Sequence, residues 1–390
     1  MIKQKTILRN WRVLSFWAVR IYVLSLLLGS ILPAEPRATI GPQQHVDTQK
    51  PHVCVHTRLI DEVFEWKIQQ SLIYVREMGA DTIVEFFPWA YIEQADDIYD
   101  WTQADKIIRH AQNQGIQVIA RMGFVPEWAR PDIEAEYATL NYLPEDAYTL
   151  FADFVAAFAE RYRGIVNHII IWNEPNLAFE WGYRDVNPEA YARLLEAVYP
   201  RVKEANPDIY ILAGALAPTL EPLGSPHGLN DITYLQLLYE AGAAPFFDAL
   251  AVHTYGFTEP PEAEPAFERL NFRRAELLQQ IMIDYGDEAK PVFITETGWN
   301  DSPRWTKAVR PSQRVSYTIR AYQWAEEQWD WVDKMCIWAL RYPTPTNSYP
   351  DNFTLITPDF QLKPIYYALQ AYARGLGRSD AQWLPPPQEP

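Results

Sequence analysis

Hydrophobic residues along the chain follow two alternating patterns, short apolar runs and longer segments with helical spacing. In the first helical segment Phe64, Ile68 and Leu72 stand four residues apart, and Gly79 ends the pattern. Most of the short runs are continuously apolar, which is typical of parallel strands that are buried on both faces. From about residue 51 onward, a short run followed by a helical segment occurs eight times.

This order predicts an α/β fold, a (β/α)8 TIM barrel. Eight alternations with no strand left over favour a closed barrel over an open, doubly wound sheet. The predicted strands are 52–56, 82–86, 117–121, 168–172, 210–213, 249–252, 291–295 and 334–338. The predicted helices are 61–78, 102–114, 145–162, one opening at Asn187-Pro188, 232–240, 266–284, 312–327 and 364–374.

The barrel accounts for residues 51–374, and the flanking parts differ from it in composition. Residues 1–34 combine basic side chains with the apolar run IYVLSLLLGSILP, which predicts a secretory signal peptide cleaved near Ala34. A retained N-terminal anchor, and so a membrane tether, is the alternative. Residues 35–50 lack periodicity and are predicted to be a linker, and residues 375–390 a disordered tail. We expect a monomer that is secreted or otherwise extracytoplasmic.

Charge and composition limit the classes of molecule that the protein is expected to bind. The formal net charge of −16 disfavours nucleic acid, whose phosphates it would repel. The 15 Trp and 23 Tyr residues suit a carbohydrate partner, because their rings offer apolar faces with polar edges, although core packing uses the same residues. The Cys and His residues do not have the spacing of a zinc site, so we expect neither a metal nor another cofactor.

Cys54 and Cys336 lie on predicted strands one and eight, which are neighbours in a closed barrel. Two buried thiols that fill the core are the favoured interpretation. A disulfide is the alternative, because adjacent strands bring Cα atoms within bonding range.

Active sites of such barrels lie at the C-terminal ends of the strands. Glu174 directly follows strand four and Glu296 directly follows strand seven, so the two carboxyl groups should face each other across the barrel mouth. Hydrolysis of a glycosidic bond requires such a pair, one protonating the leaving oxygen and one acting on the anomeric carbon or on water.

The motifs Trp172-Asn-Glu-Pro-Asn176 and Thr295-Glu-Thr-Gly-Trp299 resemble those of the retaining glycoside hydrolases that carry their glutamates on strands four and seven, in particular families 39 and 5. The resemblance covers about residues 51–374. It implies a retaining enzyme that cleaves β-glycosidic bonds of a polysaccharide or oligosaccharide by double displacement, with Glu174 as acid/base and Glu296 as nucleophile.

The resemblance also implies roles for residues around this pair. Asn173 would hydrogen-bond the 2-hydroxyl of the sugar at the cleaved bond, and Trp338 would form the floor of the sugar site. His253 and Tyr255 match a strand-six pair whose Tyr contacts the nucleophile. Many relatives also carry an Arg on strand two, which this chain lacks; Arg121 on strand three is the substitute that the sequence offers.

Other side chains near the mouth are candidates for sugar contact, and we expect two or three of them to line the cleft. They are His56, Arg58, Trp89, Trp128, Trp181, Trp299 and Trp305. Glu85 is predicted to lie on an inner strand, where a carboxylate is costly to bury, so we expect it to pair with Arg121 or to contact substrate.

Two other classes of barrel protein remain as alternatives to the retaining glycoside hydrolase. A catalytically inactive carbohydrate-binding barrel usually lacks one of the glutamates, and both are present. A metal-dependent barrel hydrolase usually has His-x-His on strand one, where this chain has His52-x-x-x-His56. A substrate-assisted, chitinase-like mechanism needs an acidic run on strand four, and Ile169-Ile-Ile-Trp172 is not acidic.

Overall fold

The computed structural model describes residues 17, 19–22, 38–130 and 139–376. Most of the predicted leader and tail therefore lies outside the described residues. The chain divides into two compact units, Met1–Thr39 and Ile40–Pro390. Within the described ranges, no helix has both the length and the apolar character needed to cross a membrane.

Eight parallel strands close into a barrel, which confirms the predicted (β/α)8 fold. Each strand pairs with the next along the chain, and the last pairs with the first. The strands are β1 Val53–His56, β2 Thr82–Pro88, β3 Gln117–Gly123, β4 His168–Ile171, β5 Tyr210–Leu216, β6 Ala249–Tyr255, β7 Val292–Gly298 and β8 Val332–Ile337.

A helix follows each strand and covers the outside of the barrel. The helices are α1 Glu65–Met78, α2 Thr102–Gln114, α3 Tyr148–Arg161, α4 Pro188–Ala205, α5 Asp231–Glu240, α6 Ala275–Asp284, α7 Pro311–Gln328 and α8 Pro364–Ala373. The connection from β2 to α2 also contains a short helix, Trp89–Ile92, and a small antiparallel hairpin of Glu93–Ala95 with Ile98–Tyr99.

Apolar side chains form two cores, one inside the barrel and one between the sheet and the helices. The inner core includes Val84, Ile119 and Phe293, all buried, and it fills the barrel below the mouth. The larger outer core packs the helices against the strands. The filled interior leaves the mouth as the place where polar side chains collect.

Cys54 and Cys336 form a disulfide inside the barrel, so the favoured interpretation of two free thiols is wrong. The two residues are direct partners in the register of β1 and β8, and their Cα atoms are 4.0 Å apart. Closure of the barrel brings together two cysteines that are 282 residues apart in sequence.

The largest error in the predicted elements is the sixth helix, which begins at Ala275 rather than at 266. The buried Arg274 side chain binds Asp231, and its guanidinium also donates to the backbone carbonyl groups of Ala266, Phe267 and Arg269. These bonds hold residues 266–274 mostly as a loop. Several strands, including β5, β6 and β7, also extend three residues further toward the mouth than predicted.

The part of the predicted linker in this unit, residues 40–50, contains no helix or strand but is hydrogen-bonded to the barrel. Gln44 N donates to Asn113 O at 2.8 Å, and Gln49 N donates to Ala373 O at 2.7 Å. These bonds attach the segment to the C-terminal ends of α2 and α8.

Candidate active site

The chain turns sharply after β4 and thereby points Glu174 into the mouth. Trp172 and Glu174 have positive φ angles of 74° and 44°, which non-glycine residues adopt rarely and mostly at functional positions. Glu174 N donates to Ala215 O at 2.9 Å, and the buried Asn176 amide exchanges hydrogen bonds with the backbone of Ala217. The turn is thus held by the neighbouring strand β5.

Glu296 lies within β7, near its C-terminal end, and its side chain is buried. One of its carboxylate oxygens and one of those of Glu174 lie within 4.8 Å of each other. The structure therefore brings together the two glutamates that the sequence places on strands four and seven.

His253 contacts both glutamates from β6. Its Nδ1 is 2.7 Å from Glu174 Oε1 and 3.6 Å from Glu296 Oε2. Burial lowers the pKa of His253, but the negative charges of Glu296 and Glu174 and the hydrogen bond to Glu174 outweigh it, so the net pKa is raised. The charged imidazolium is favoured between the two carboxyl groups.

Tyr255 and His56 flank Glu296 on different sides. The Tyr255 hydroxyl donates to Glu296 Oε2 at 2.6 Å, and burial together with the charge of Glu296 raises the pKa of Tyr255 well above its ordinary value, so it remains a donor. His56 Nε2 is 3.4 Å from Glu296 Oε1. Burial and the charge of Arg121 lower the pKa of His56 well below its usual range, and neither ring nitrogen has a hydrogen-bond partner among the described residues.

Arg121 faces the mouth and supplies the cation that strand two lacks. Its Nη1 is 3.5 Å from Glu296 Oε1 and donates to Asn173 Oδ1 at 2.7 Å. The guanidinium also lies over the Phe86 ring, 4.7 Å from its centroid. Arg121 thus positions both Glu296 and Asn173, next to Glu174.

A cavity of about 560 Å³ opens above these groups. Of the predicted site residues it is lined by Asn173, Glu174, Tyr255, Glu296, Trp338, His56, Arg58 and Trp305. Further lining residues that the sequence analysis did not single out include Phe179, Phe257, Tyr349 and Phe353. Trp305 and Tyr349 stack with their ring centroids 4.8 Å apart and form an aromatic wall.

Trp89, Trp181 and Trp299 do not line this cavity, which corrects their assignment as substrate-binding residues. All three are at most 2% exposed, and each packs against other aromatic rings of the outer core. The Trp299 Nε1 donates to Glu259 O at 2.8 Å, and its ring lies where a Cβ on Gly256 would stand, only 1.9 Å away. They anchor the mouth loops rather than face the solvent.

One further expectation is corrected. Glu85 neither pairs with Arg121 nor lines the cavity: Thr57 Oγ1 and the backbone N–H of Leu59 donate to its Oε2 at 2.5 and 2.9 Å. Its carboxyl group therefore holds the loop after β1. Trp128 packs on another indole of the outer core and donates to a backbone carbonyl, so it too anchors a loop.

Glu180 is a third carboxyl group at the cavity that the sequence analysis missed. Burial and the charge of Glu174 raise its pKa to about 7, and Asn141 Nδ2 donates to its Oε2 at 3.0 Å. It stands on the loop after β4, six residues beyond Glu174, where no periodic pattern marks it.

Glu174, His253 and Glu296 also offer three ligand atoms within 4.8 Å of one another, close enough to share a metal ion. All three are engaged in the contacts given above, with His253 bridging the carboxylates. The metal-dependent alternative thus has an identifiable site, and it can be tested.

Residues 98–367 match the model of the glycosyl hydrolase catalytic core. No curated protein sequence matches the chain significantly.

Several solved structures share the fold. A family 39 glycoside hydrolase from Bacteroides cellulosilyticus is 21% identical with a TM-score of 0.67, over 85% of this chain and 65% of its own. A monomeric beta-xylosidase from Caulobacter crescentus is 19% identical with a TM-score of 0.61, over 86% and 69%. An exo-beta-1,4-mannosidase from an Opitutaceae bacterium is 15% identical with a TM-score of 0.56, over 87% and 62%. The chain therefore spans just under two thirds of the length of the first of these structures.

Proposed function

Since this chain belongs to the family of glycosyl hydrolase catalytic cores, we propose that it cleaves β-glycosidic bonds of a polysaccharide or oligosaccharide with retention of anomeric configuration. Glu174 is the acid/base and Glu296 the nucleophile.

The close approach of the two carboxyl groups carries this proposal. Retaining enzymes hold their carboxyl groups about 5–5.5 Å apart, whereas inverting enzymes leave about 6.5–9.5 Å for a water molecule. The separation of at most 4.8 Å between carboxylate oxygens of Glu174 and Glu296 supports the retaining geometry.

In the first step Glu296 attacks the anomeric carbon while Glu174 gives its proton to the leaving oxygen. The bond to the leaving group breaks, and an ester between the sugar and Glu296 forms. The hydrogen bond from Tyr255 and the nearby Arg121 hold the Glu296 carboxylate in one orientation for this attack.

In the second step Glu174, now a carboxylate, takes a proton from water, and the water oxygen attacks the anomeric carbon. The ester bond breaks, Glu296 is released as a carboxylate, and Glu174 is protonated again. His253 contacts both glutamates, so its imidazolium offsets the negative charge that moves from one to the other.

The cavity supports a sugar as the group bound next to this pair. Trp338 and Tyr255 present apolar ring surface to it, while the nitrogens of His56 offer hydrogen bonds that the described residues leave unused. Asn173 lies beside Glu174 and is the residue to which we assign the 2-hydroxyl of the bound sugar.

We further propose that the protein works outside the cytoplasm. The Cys54–Cys336 disulfide supports this, because disulfides persist in oxidising compartments. The basic and apolar composition of residues 1–34 supports it as well.

Following the anomer that is released first, by proton nuclear magnetic resonance, tests the mechanism. The substrates are aryl β-glycosides of glucose, xylose, mannose and galactose. We expect the β-anomer of the sugar to appear before mutarotation, and Glu174→Gln to slow its release. Initial release of the α-anomer would show inversion. If no substrate of this panel and no β-linked polysaccharide is hydrolysed, the inactive carbohydrate-binding barrel becomes the better account.

A further inference from the structure

A second cavity, of about 210 Å³, adjoins the catalytic cavity on the side of β2, β3 and β4. The two cavities share four lining residues: Arg58, Arg121, Asn173 and Glu180. A ligand in the catalytic cavity can therefore extend past these side chains into the second one. With less than half the volume of the catalytic cavity, the second cavity suits one further ring rather than a chain.

Glu180 stands at the boundary of the two cavities. It forms no ion pair within the part of the chain that the structure describes, and the amide of Asn141 donates a hydrogen bond to it at 3.0 Å. With a pKa of about 7 it can both accept and donate hydrogen bonds near neutral pH. Buried carboxyl groups need several partners, and the hydroxyl groups of a sugar supply them.

The cationic side chains of the second cavity are matched within the protein. Arg58 Nη2 is 2.7 Å from Asp61 Oδ2, and Arg121 is held by Glu296 and Asn173. A ligand with a negative charge would therefore meet no unmatched cation, whereas the Glu180 carboxyl group has no cationic partner among the described residues. The cavity thus suits a ligand without negative charge.

Aromatic rings form the opposite wall. Phe86 and Phe124 pack edge to face with centroids 4.7 Å apart, and Tyr91, which is 48% exposed, also lines the cavity. Rings beside hydrogen-bonding groups are the surface that a pyranose or furanose ring fits, with its C–H face on the aromatic side and its hydroxyls on the polar side.

From these features we infer that the second cavity is a subsite for a sugar residue without negative charge, attached to the ring at the cleaved bond. Asn173, to which we assign the 2-hydroxyl of the sugar at the cleaved bond, lines both cavities, and so does Arg121, whose Nη1 is 3.5 Å from the nucleophile Glu296. The subsite therefore lies on the glycone side. This inference rests on the proposed function and narrows its substrate class to β-glycosides whose glycone carries a second sugar.

Aryl β-glycosides of single sugars and of the matching disaccharides, linked through each hydroxyl in turn, test the inference. We expect kcat/KM for at least one disaccharide glycoside to exceed that of its monosaccharide counterpart by about tenfold. Tyr91→Ala should remove this ratio and leave hydrolysis of the monosaccharide glycoside unchanged, and Asn141→Ala should lower the ratio. Tyr183→Ala is the matched control, because Tyr183 is 70% exposed and lines neither cavity.

A wild-type ratio near one for every linkage, or variants that slow both substrates equally, would overturn the subsite while the proposed function stands. If the wild-type protein hydrolyses no aryl glycoside, the proposed function fails, and titration calorimetry with the free sugars then decides on the subsite. Tighter binding of a disaccharide than of its monosaccharide, lost in Tyr91→Ala, supports the subsite, and equal binding overturns it.

Discussion

His253 Nδ1 lies 2.7 Å from Glu174 Oε1, so a buried imidazole is in direct contact with the carboxyl group that we propose as the acid/base. The same nitrogen is 3.6 Å from Glu296, and the pKa of His253 is raised by both carboxylates in spite of its burial. His56, on the other side of Glu296, has a lowered pKa because burial and Arg121 disfavour its charge. The pKa values of two histidines at one site are thus shifted in opposite directions.

This contrast predicts opposite pH dependences of stability for His253→Gln and His56→Gln. A raised folded-state pKa stabilises the protein below the ordinary value of 6.5, and the contribution is lost as the pH rises through the folded pKa. The destabilisation by His253→Gln should therefore be largest below pH 6.5 and shrink as the pH rises through the raised folded-state pKa. A lowered folded-state pKa acts in reverse, so wild-type protein should lose stability relative to His56→Gln as the pH falls below 6.5. Urea unfolding of the three proteins at several pH values measures both trends, and parallel profiles for the two variants would contradict the assignment.

Tyr255→Phe should lower kcat by about 10- to 100-fold with little change in KM, because it removes one hydrogen bond to the charged nucleophile. The change deletes only the hydroxyl that lies 2.6 Å from Glu296 Oε2. Steady-state kinetics on the best aryl glycoside measures the effect, with Tyr183→Phe as the exposed control. A rise in KM at constant kcat would instead make Tyr255 a substrate-binding residue.

Trp299→Ala should mainly lower the stability of the protein, whereas Trp338→Ala should mainly weaken substrate binding. Trp299 is buried in the outer core, so its truncation should lower the free energy of unfolding by about 3–5 kcal/mol. Trp338 lines the catalytic cavity, and its truncation should raise KM several-fold with a smaller effect on stability. Unfolding curves and kinetics on both variants separate the roles. Equal loss of stability with unchanged KM in Trp338→Ala would remove it from the sugar site.

Replacing both cysteines, as Cys54→Ala with Cys336→Ala, should lower the free energy of unfolding by about 2–4 kcal/mol, because the unfolded chain loses a constraint across 282 residues. The wild-type protein should lose a similar amount in reductant, whereas the double variant should be insensitive to it. Peptide mass spectrometry without reduction identifies the bond directly. Free thiols at both positions would restore the interpretation of two buried cysteines.

Activity should survive dialysis against a chelator and should not depend on added divalent cations. Glu174, His253 and Glu296 lie close enough to bind a metal, but the proposed double displacement uses them as acid/base, bridge and nucleophile instead. Elemental analysis of the purified protein provides the check. A stoichiometric metal whose removal abolishes hydrolysis would favour the metal-dependent class.

The sequence predicts the barrel and the position of its glutamates because both depend on local pattern. A continuous apolar run identifies a buried strand, and the residue after it must lie at the mouth. The buried Trp89, Trp181 and Trp299 are a different case, because whether a loop indole turns inward depends on the rings that other segments bring to it. The sequence around a loop tryptophan does not distinguish a ring that packs into the core from a ring that lines the cavity.

Two other features depend on contacts that cross the fold. Cys54 and Cys336 can bond because the register of β1 and β8 makes them direct partners, and the sequence establishes only that these strands are neighbours. Glu180 joins the site because its loop brings it beside Glu174 and Asn141. No spacing along the chain distinguishes it from an acidic residue on the surface.

Trapping the glycosyl-enzyme tests the central claim most directly. The mature protein is incubated with aryl β-glycosides of 2-fluoro sugars, which slow the second step, and is then analysed by intact and peptide mass spectrometry. The double displacement predicts one sugar per chain, on the peptide that contains Glu296 and attached to that residue, with none on Glu296→Gln. An adduct on another residue, or rapid hydrolysis of the parent glycosides with no adduct from any 2-fluoro sugar, would contradict it.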